Sequence, residues 1–157
     1  MSVQLRAASP DDLDQIAALE RELFGHDAWS RQLVADELEA PWTDYLIAFD
    51  HDTAVLGYAG VSVPADGAPA DIQTIAVIPA ARRRGIGRQL LCALAAAGSR
   101  RGANESLLEV RADNPGAQAL YLSLGYEPIA VRPRYYQPDD VDAIVMRAAL
   151  PLEACHG

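Results

Sequence analysis

The run Arg82-Arg83-Arg84-Gly85-Ile86-Gly87-Arg88 sets two glycines among arginines. Glycine lacks a Cβ, so its backbone N–H groups can approach an anion closely. A helix starting at that point adds roughly half a positive charge. Guanidinium groups supply further donors shaped for phosphate. This turn can therefore hold a phosphate or pyrophosphate, although a solvated basic helix end has the same composition. Two familiar phosphate loops do not fit it. A Walker loop needs Gly-Lys followed by Ser or Thr, and the dinucleotide fingerprint needs a glycine where Leu90 stands.

Other reactive side chains have two readings each. Glu109, two residues before Arg111 on a strand-like run, reads as half of a surface ion pair or as a carboxylate able to move a proton. Tyr121 reads as core packing with its hydroxyl at the rim, or as a phenol facing a site. Asn114 before Pro115 is a helix cap that could also touch a ligand. Tyr135-Tyr136 could be plain strand residues. Cys92 falls inside an apolar helix, Cys155 near the C-terminus, and His26 and His51 in loops, so no Cys/His pairing for covalent catalysis is visible. With two cysteines and no Cys-x-x-Cys, neither a disulfide framework nor a structural zinc site is expected, and a reducing compartment fits.

These residues need a scaffold, and the pattern supplies one. Val3 to Arg6 alternates like a strand. Ser9-Pro10-Asp11-Asp12 reads as a helix start, and Leu13, Ile16, Ala17, Leu19, Leu23 and Phe24 keep a helical period to Gly25. Ser30 opens a second helix that ends before Pro41. Strands are expected at 44–49 and 54–63, joined by a hairpin connection at 50–53. Ile72 to Ile78 reads as a buried central strand, followed by a helix from Gly85 to Arg101. A strand at 106–110, a short helix from Asn114 to Leu124, and closing strands at 126–131 and 141–148 complete the order β-α-α-β-β-β-α-β-α-β-β. That is a mixed α/β sheet flanked by helices in a single domain, 1–157, with 150–157 read as a flexible tail.

The chain has 157 residues, a net charge of −9 and a pI near 4.6. Such a field repels phosphate backbones, so no direct nucleic-acid binding is expected, while a cationic partner would be attracted. The acidity serves solubility equally well. The N-terminus lacks a basic-then-apolar signal, and the longest apolar run, Leu90 to Ala97, is far too short to span a bilayer. The expected setting is cytoplasmic, with no membrane partner.

Arg82, Gly85 and Gly87 satisfy the pattern Q/R-x-x-G-x-G/A, and in this the turn resembles the acetyl-CoA signature of the GNAT acetyltransferase superfamily. The element order resembles its fold. Downstream, the blocks 108–114, 119–126 and 132–136 are similar to the RimI branch, whose members acetylate the N-terminal alanine of a small-subunit ribosomal protein. The resemblance covers roughly residues 72 to 147, while the first seventy match only in element order and in the Trp29-Ser30 step. It implies Glu109 as general base and Tyr121 as general acid. It implies acetyl-CoA contacts at Ile75, Ala76, Val77, Arg83, Arg84, Gly85, Ile86, Gly87, Arg88 and Asn114, with Tyr135 and Tyr136 lining a peptide groove. No metal is implied, and attack would be direct, in a ternary complex. The implied acceptor is a protein N-terminus, that of a ribosomal protein among them; a lysine side chain or a small-molecule amine is the alternative. Three departures stand out: Arg82 where relatives often carry glutamine, Asp71 and Gln73 where neither is clearly a second base, and Pro133 interrupting an arginine-rich approach to the tyrosine pair.

Overall fold

The expected helix starts carry the chemistry that creates them. The structure, a computed structural model, describes residues 3–51 and 55–155. A 3-10 turn at Pro10–Asp12 leads into α1 (Leu13–Phe24). The Ser30 hydroxyl accepts from the Leu33 N–H at 3.1 Å and caps α2 (Arg31–Glu39). Gly85, in the left-handed region at φ 76°, stands before α3 (Ile86–Arg100). The Asn114 side chain accepts from the Ala117 N–H at 3.1 Å, with Pro115 as the first residue of α4 (Pro115–Ser123).

The strands are β1 (Gln4–Ala7), β2 (Thr43–Phe49), β3 (Val55–Ser62), β4 (Ala70–Val77), β5 (Glu105–Arg111), β6 (Glu127–Tyr136) and β7 (Val141–Ala149). They form one sheet in the order β1-β2-β3-β4-β5-β7-β6. The β4–β5 pair is parallel and the other pairs are antiparallel. Strands β2 and β3 pair as expected of a hairpin, but the connecting residues 52–54 lie outside the described ones.

Alternation along the strands feeds two cores. Ile47, Tyr58 and Ala76 pack with Ile16 of α1 and Val34 of α2 on one face. Ala59, Val61, Leu108 and Val110 pack with Leu90, Leu91 and Leu94 of α3 and Tyr121 and Leu124 on the other. Arg101 ties the end of α3 to the start of β2: it bonds Asp44 at 2.6 Å and the carbonyls of Pro41 and Thr43 at 2.8 and 3.0 Å.

Three expectations change. Strand β6 runs on through Pro133 to Tyr136 instead of stopping at Val131. It lies at the sheet edge, where a residue without an N–H is tolerated. Within the described residues, 150–155 is not a free tail: Leu152 is 3% exposed within the second core, and Glu153–Cys155 forms a 3-10 turn. Burying a leucine offsets the entropy of ordering that turn. Finally, Cys92 and Cys155 form a disulfide, contrary to the expectation of none. The two are 63 residues apart in sequence, and only the return of the C-terminal segment onto α3 brings them together.

Candidate active site

A gap between two neighbouring strands makes the site. Strands β4 and β5 pair only at Ala70–Ser106 and Asp71–Leu107. On its other edge β4 follows β3, but Thr74 faces Gly60 while Ile72 faces Val61, which leaves Gln73 as an extra residue. A bulge of this kind bends its strand and turns it from its neighbour. Beyond Asp71 the two strands part, and the β4 edge facing β5 has no strand partner among the described residues. Its backbone groups remain available for a ligand.

On the α3–α4 face, a trough of about 620 Å3 is lined by Ile75, Ala76, Val77, Arg82, Arg83, Gly85, Ile86, Gly87, Arg88, Asn114 and Tyr121. The turn has the geometry of an anion cradle. Arg83 and Gly85 both take positive φ, at 66° and 76°, and the N-terminus of α3 follows directly. A Cβ on Gly85 would meet no neighbour, so the backbone angle is what requires glycine there. Gly87 is small for another reason: a Cβ would lie 3.2 Å from the Leu120 side chain of α4. Arg82 bonds the Val77 carbonyl at 3.3 Å and pins the turn to the end of β4. Arg88 is partly engaged elsewhere, donating to the Ala154 carbonyl at 3.0 Å. Asn114 lines the trough while its oxygen caps α4.

On the α1–α2 face, a cavity of about 550 Å3 is lined by His26, Asp27, Trp29, Asp71, Gln73, Glu109, Tyr135 and Tyr136. Both volumes lie in the range of small-ligand sites. A third cavity runs through the gap and touches Glu109, Asn114, Tyr121 and Tyr136 together. The sequence-predicted residues thus divide between two faces, except Arg84, which lines neither cavity, and Ile75, Glu109, Asn114, Tyr121 and Tyr136 meet in the opening between β4 and β5.

Their electrostatics differ. Glu109 pairs with Arg132 at 2.7 Å and not with Arg111. Asp71 is held above the usual carboxylate range by burial and by the nearby Glu109 charge, against the pull of Arg132. Tyr121 is 6% exposed, and burial, with Tyr126 and Tyr136 close by, pushes its hydroxyl well above the ordinary tyrosine value. Tyr135 and Tyr136 meet edge to face at 5.1 Å.

Sequence reasoning missed Glu20. This carboxylate is 2% exposed and lines the gap. It accepts from the Tyr58 hydroxyl, the Trp29 N–H at 3.2 Å and the Thr74 hydroxyl at 3.3 Å, joining α1, the approach to α2, β3 and β4. The signal was present: Glu20 sits on the apolar stripe of α1, one turn from Ile16 and from Phe24. Burial raises its carboxyl above the ordinary glutamate value, against three donors that favour the anion. The native state therefore keeps a proton that the unfolded chain releases. The corresponding stability is complete below the unfolded value and is lost as pH rises through the folded one. Glu20→Gln, which cannot ionise, should gain stability relative to the parent as pH rises above about 4, read from urea midpoints. A parallel pH dependence for the two proteins would contradict it.

Comparison with known proteins agrees with this architecture. The model of the acetyltransferase (GNAT) family matches residues 12–126. The N-alpha-acetyltransferase RimI of Mycobacterium tuberculosis (strain ATCC 25618 / H37Rv) is 40% identical over 148 residues, covering 92% of this chain and 91% of that protein. An uncharacterized protein of Mycobacterium leprae (strain TN) is 42% identical over 142 residues, 88% of this chain, but the match spans only 38% of that protein's length. The crystal structure of the ribosomal-protein-S18-alanine N-acetyltransferase from Escherichia coli superposes with a TM-score of 0.84 at 29% identity, covering 95% of this chain and 94% of that one. The chain belongs to the acetyltransferase (GNAT) family.

Proposed function

We propose that this protein moves an acetyl group from acetyl-CoA to the α-amine at the N-terminus of a protein, with a ribosomal protein as the acceptor and the cytoplasm as the setting. The observation that carries the reading is the pair of cavities meeting at the parted strands, with Glu109 on one side and Tyr121 on the other. The cradle at Arg83–Arg88 and the open edge of β4 fit a pyrophosphate followed by an extended amide-bearing arm. The similar proteins named RimI and ribosomal-protein-S18-alanine N-acetyltransferase support the choice of acceptor.

The residues divide the chemistry. Acetyl-CoA supplies an activated acyl carbon when bound. Backbone N–H groups along Ile75–Val77 would receive the negative charge developing on its carbonyl oxygen. Asp71 and Glu109 favour an ammonium at the mouth, and Glu109 then takes its proton directly or through one water. The freed nitrogen forms the C–N bond as the C–S bond breaks; Tyr121 delivers a proton to the departing sulfur, and the second proton that the nitrogen sheds on becoming an amide returns through solvent to restore the phenol. An α-amine has a reference pKa near 8, against about 10.4 for lysine, so a carboxylate base suffices for an N-terminus.

Burial favours the neutral phenol of Tyr121, so it stays a donor well above its ordinary value of about 10. At saturating acceptor, kcat should therefore show no fall up to about pH 10. A fall between pH 8 and 9 would contradict Tyr121 as the donor. The proposal as a whole is tested by CoA release on peptides with free and blocked N-termini. Equal release from both would defeat it.

A further inference from the structure

Arg111 lies two residues beyond Glu109 on β5, yet its guanidinium turns away from it. It bonds Asp27 at 2.5 Å, Asp113 at 2.9 and 3.1 Å, and Asp139 at 3.2 Å. Its guanidinium carbon stands 5.1 Å from the centre of the Tyr136 ring. The partners come from separate segments: the 3-10 turn Gly25–Asp27, the turn between β5 and α4, and the end of the β6–β7 hairpin. The Arg111 carbonyl, with that of Ala112, accepts from Gln118 of α4 at 3.1 Å, so the same residue also abuts the helix that carries Tyr121.

Three carboxylates drawn to one point repel one another unless a cation sits among them. Arginine suits that place because its planar fork presents five donors and stacks on an aromatic face; lysine offers one compact charge. Asp27 and Tyr136 also line the cavity on the α1–α2 face. The guanidinium therefore holds these two lining residues in register and occupies Asp27, a carboxylate that would otherwise compete with Glu109 for an incoming ammonium.

We propose that Arg111 is a positioning residue for the acceptor, closing the 25–27 turn and the β6–β7 end into the wall of the acceptor cavity. This rests on the function proposed above for that cavity. Arg111→Met keeps the apolar stem and removes the charge. It should raise the acceptor KM by about tenfold or more, with acetyl-CoA Kd within about twofold of the parent. Arg111→Lys should fall between the two. Amide hydrogen exchange at 25–29 and 136–141 should quicken in Arg111→Met, a readout that needs no acceptor. If Arg111→Met fails to fold, Arg111→Lys and Asp139→Asn carry the test with a smaller KM rise and the same exchange pattern. An equal loss of acetyl-CoA affinity, or unchanged exchange at both segments, would overturn the inference. Inactivity of the parent on every peptide would sink the proposed function and leave the exchange result to decide this one.

Discussion

Glu109→Gln should lower kcat by about 10²–10⁴-fold while acetyl-CoA affinity stays within about twofold. The substitution keeps an oxygen that can accept from Arg132, now 2.7 Å from the carboxylate, so local packing survives and only the basic charge is lost. Glu109 lies on the acceptor side of the gap, away from the cradle at Arg83–Arg88. Asp71 complicates the size of the effect. The Glu109 charge helps to hold the Asp71 carboxyl up, so the variant should relax Asp71 toward its ordinary range and leave a second carboxylate in the same cavity. The double variant with Asp71→Asn should therefore fall further than Glu109→Gln alone. Turnover followed by thiol release and binding followed by calorimetry separate the outcomes. Loss of acetyl-CoA binding would make Glu109 structural.

Tyr121→Phe should cut kcat by about 10²-fold or more. The ring packs at 6.1 Å, edge to face, against Tyr126, and that contact remains with phenylalanine, so the fold should persist. Only the hydroxyl of this cavity-lining residue is removed. Because its role is toward the departing sulfur, the defect should shrink with an acetyl thioester whose thiol is more acidic, since that thiolate leaves without help. A defect of constant size across donors would place Tyr121 elsewhere in the mechanism.

Much of this arrangement was legible in the residues because it depends on local rules. Gly85 with its arginines, Ser30 and Asn114 as caps, and the β-branched run at 72–78 each specify their own surroundings. Bulges, returns and pairings across the chain were not. Gln73 gives no local sign that it is the extra residue parting β4 from β5, since that depends on its register with β3. Arg111 looked like the partner of Glu109 by spacing, but three carboxylates from distant segments outweigh one neighbour on the same strand. The strand expected at 126–131 runs on through Pro133 because a sheet edge accommodates a residue without an N–H. Cys155 meets Cys92 only because Leu152 has a place in the core. Glu20 was the readable omission: a carboxylate on an apolar helix stripe announces a buried polar role.

The central claim is that the acceptor nitrogen is an N-terminal α-amine. A peptide with a free N-terminal alanine and an internal lysine, incubated with acetyl-CoA and sequenced by tandem mass spectrometry, tests it most directly. A single acetyl group on the alanine nitrogen, lost on Glu109→Gln, is the predicted result. Acetylation of the lysine alone, with the N-terminus untouched, would contradict the account.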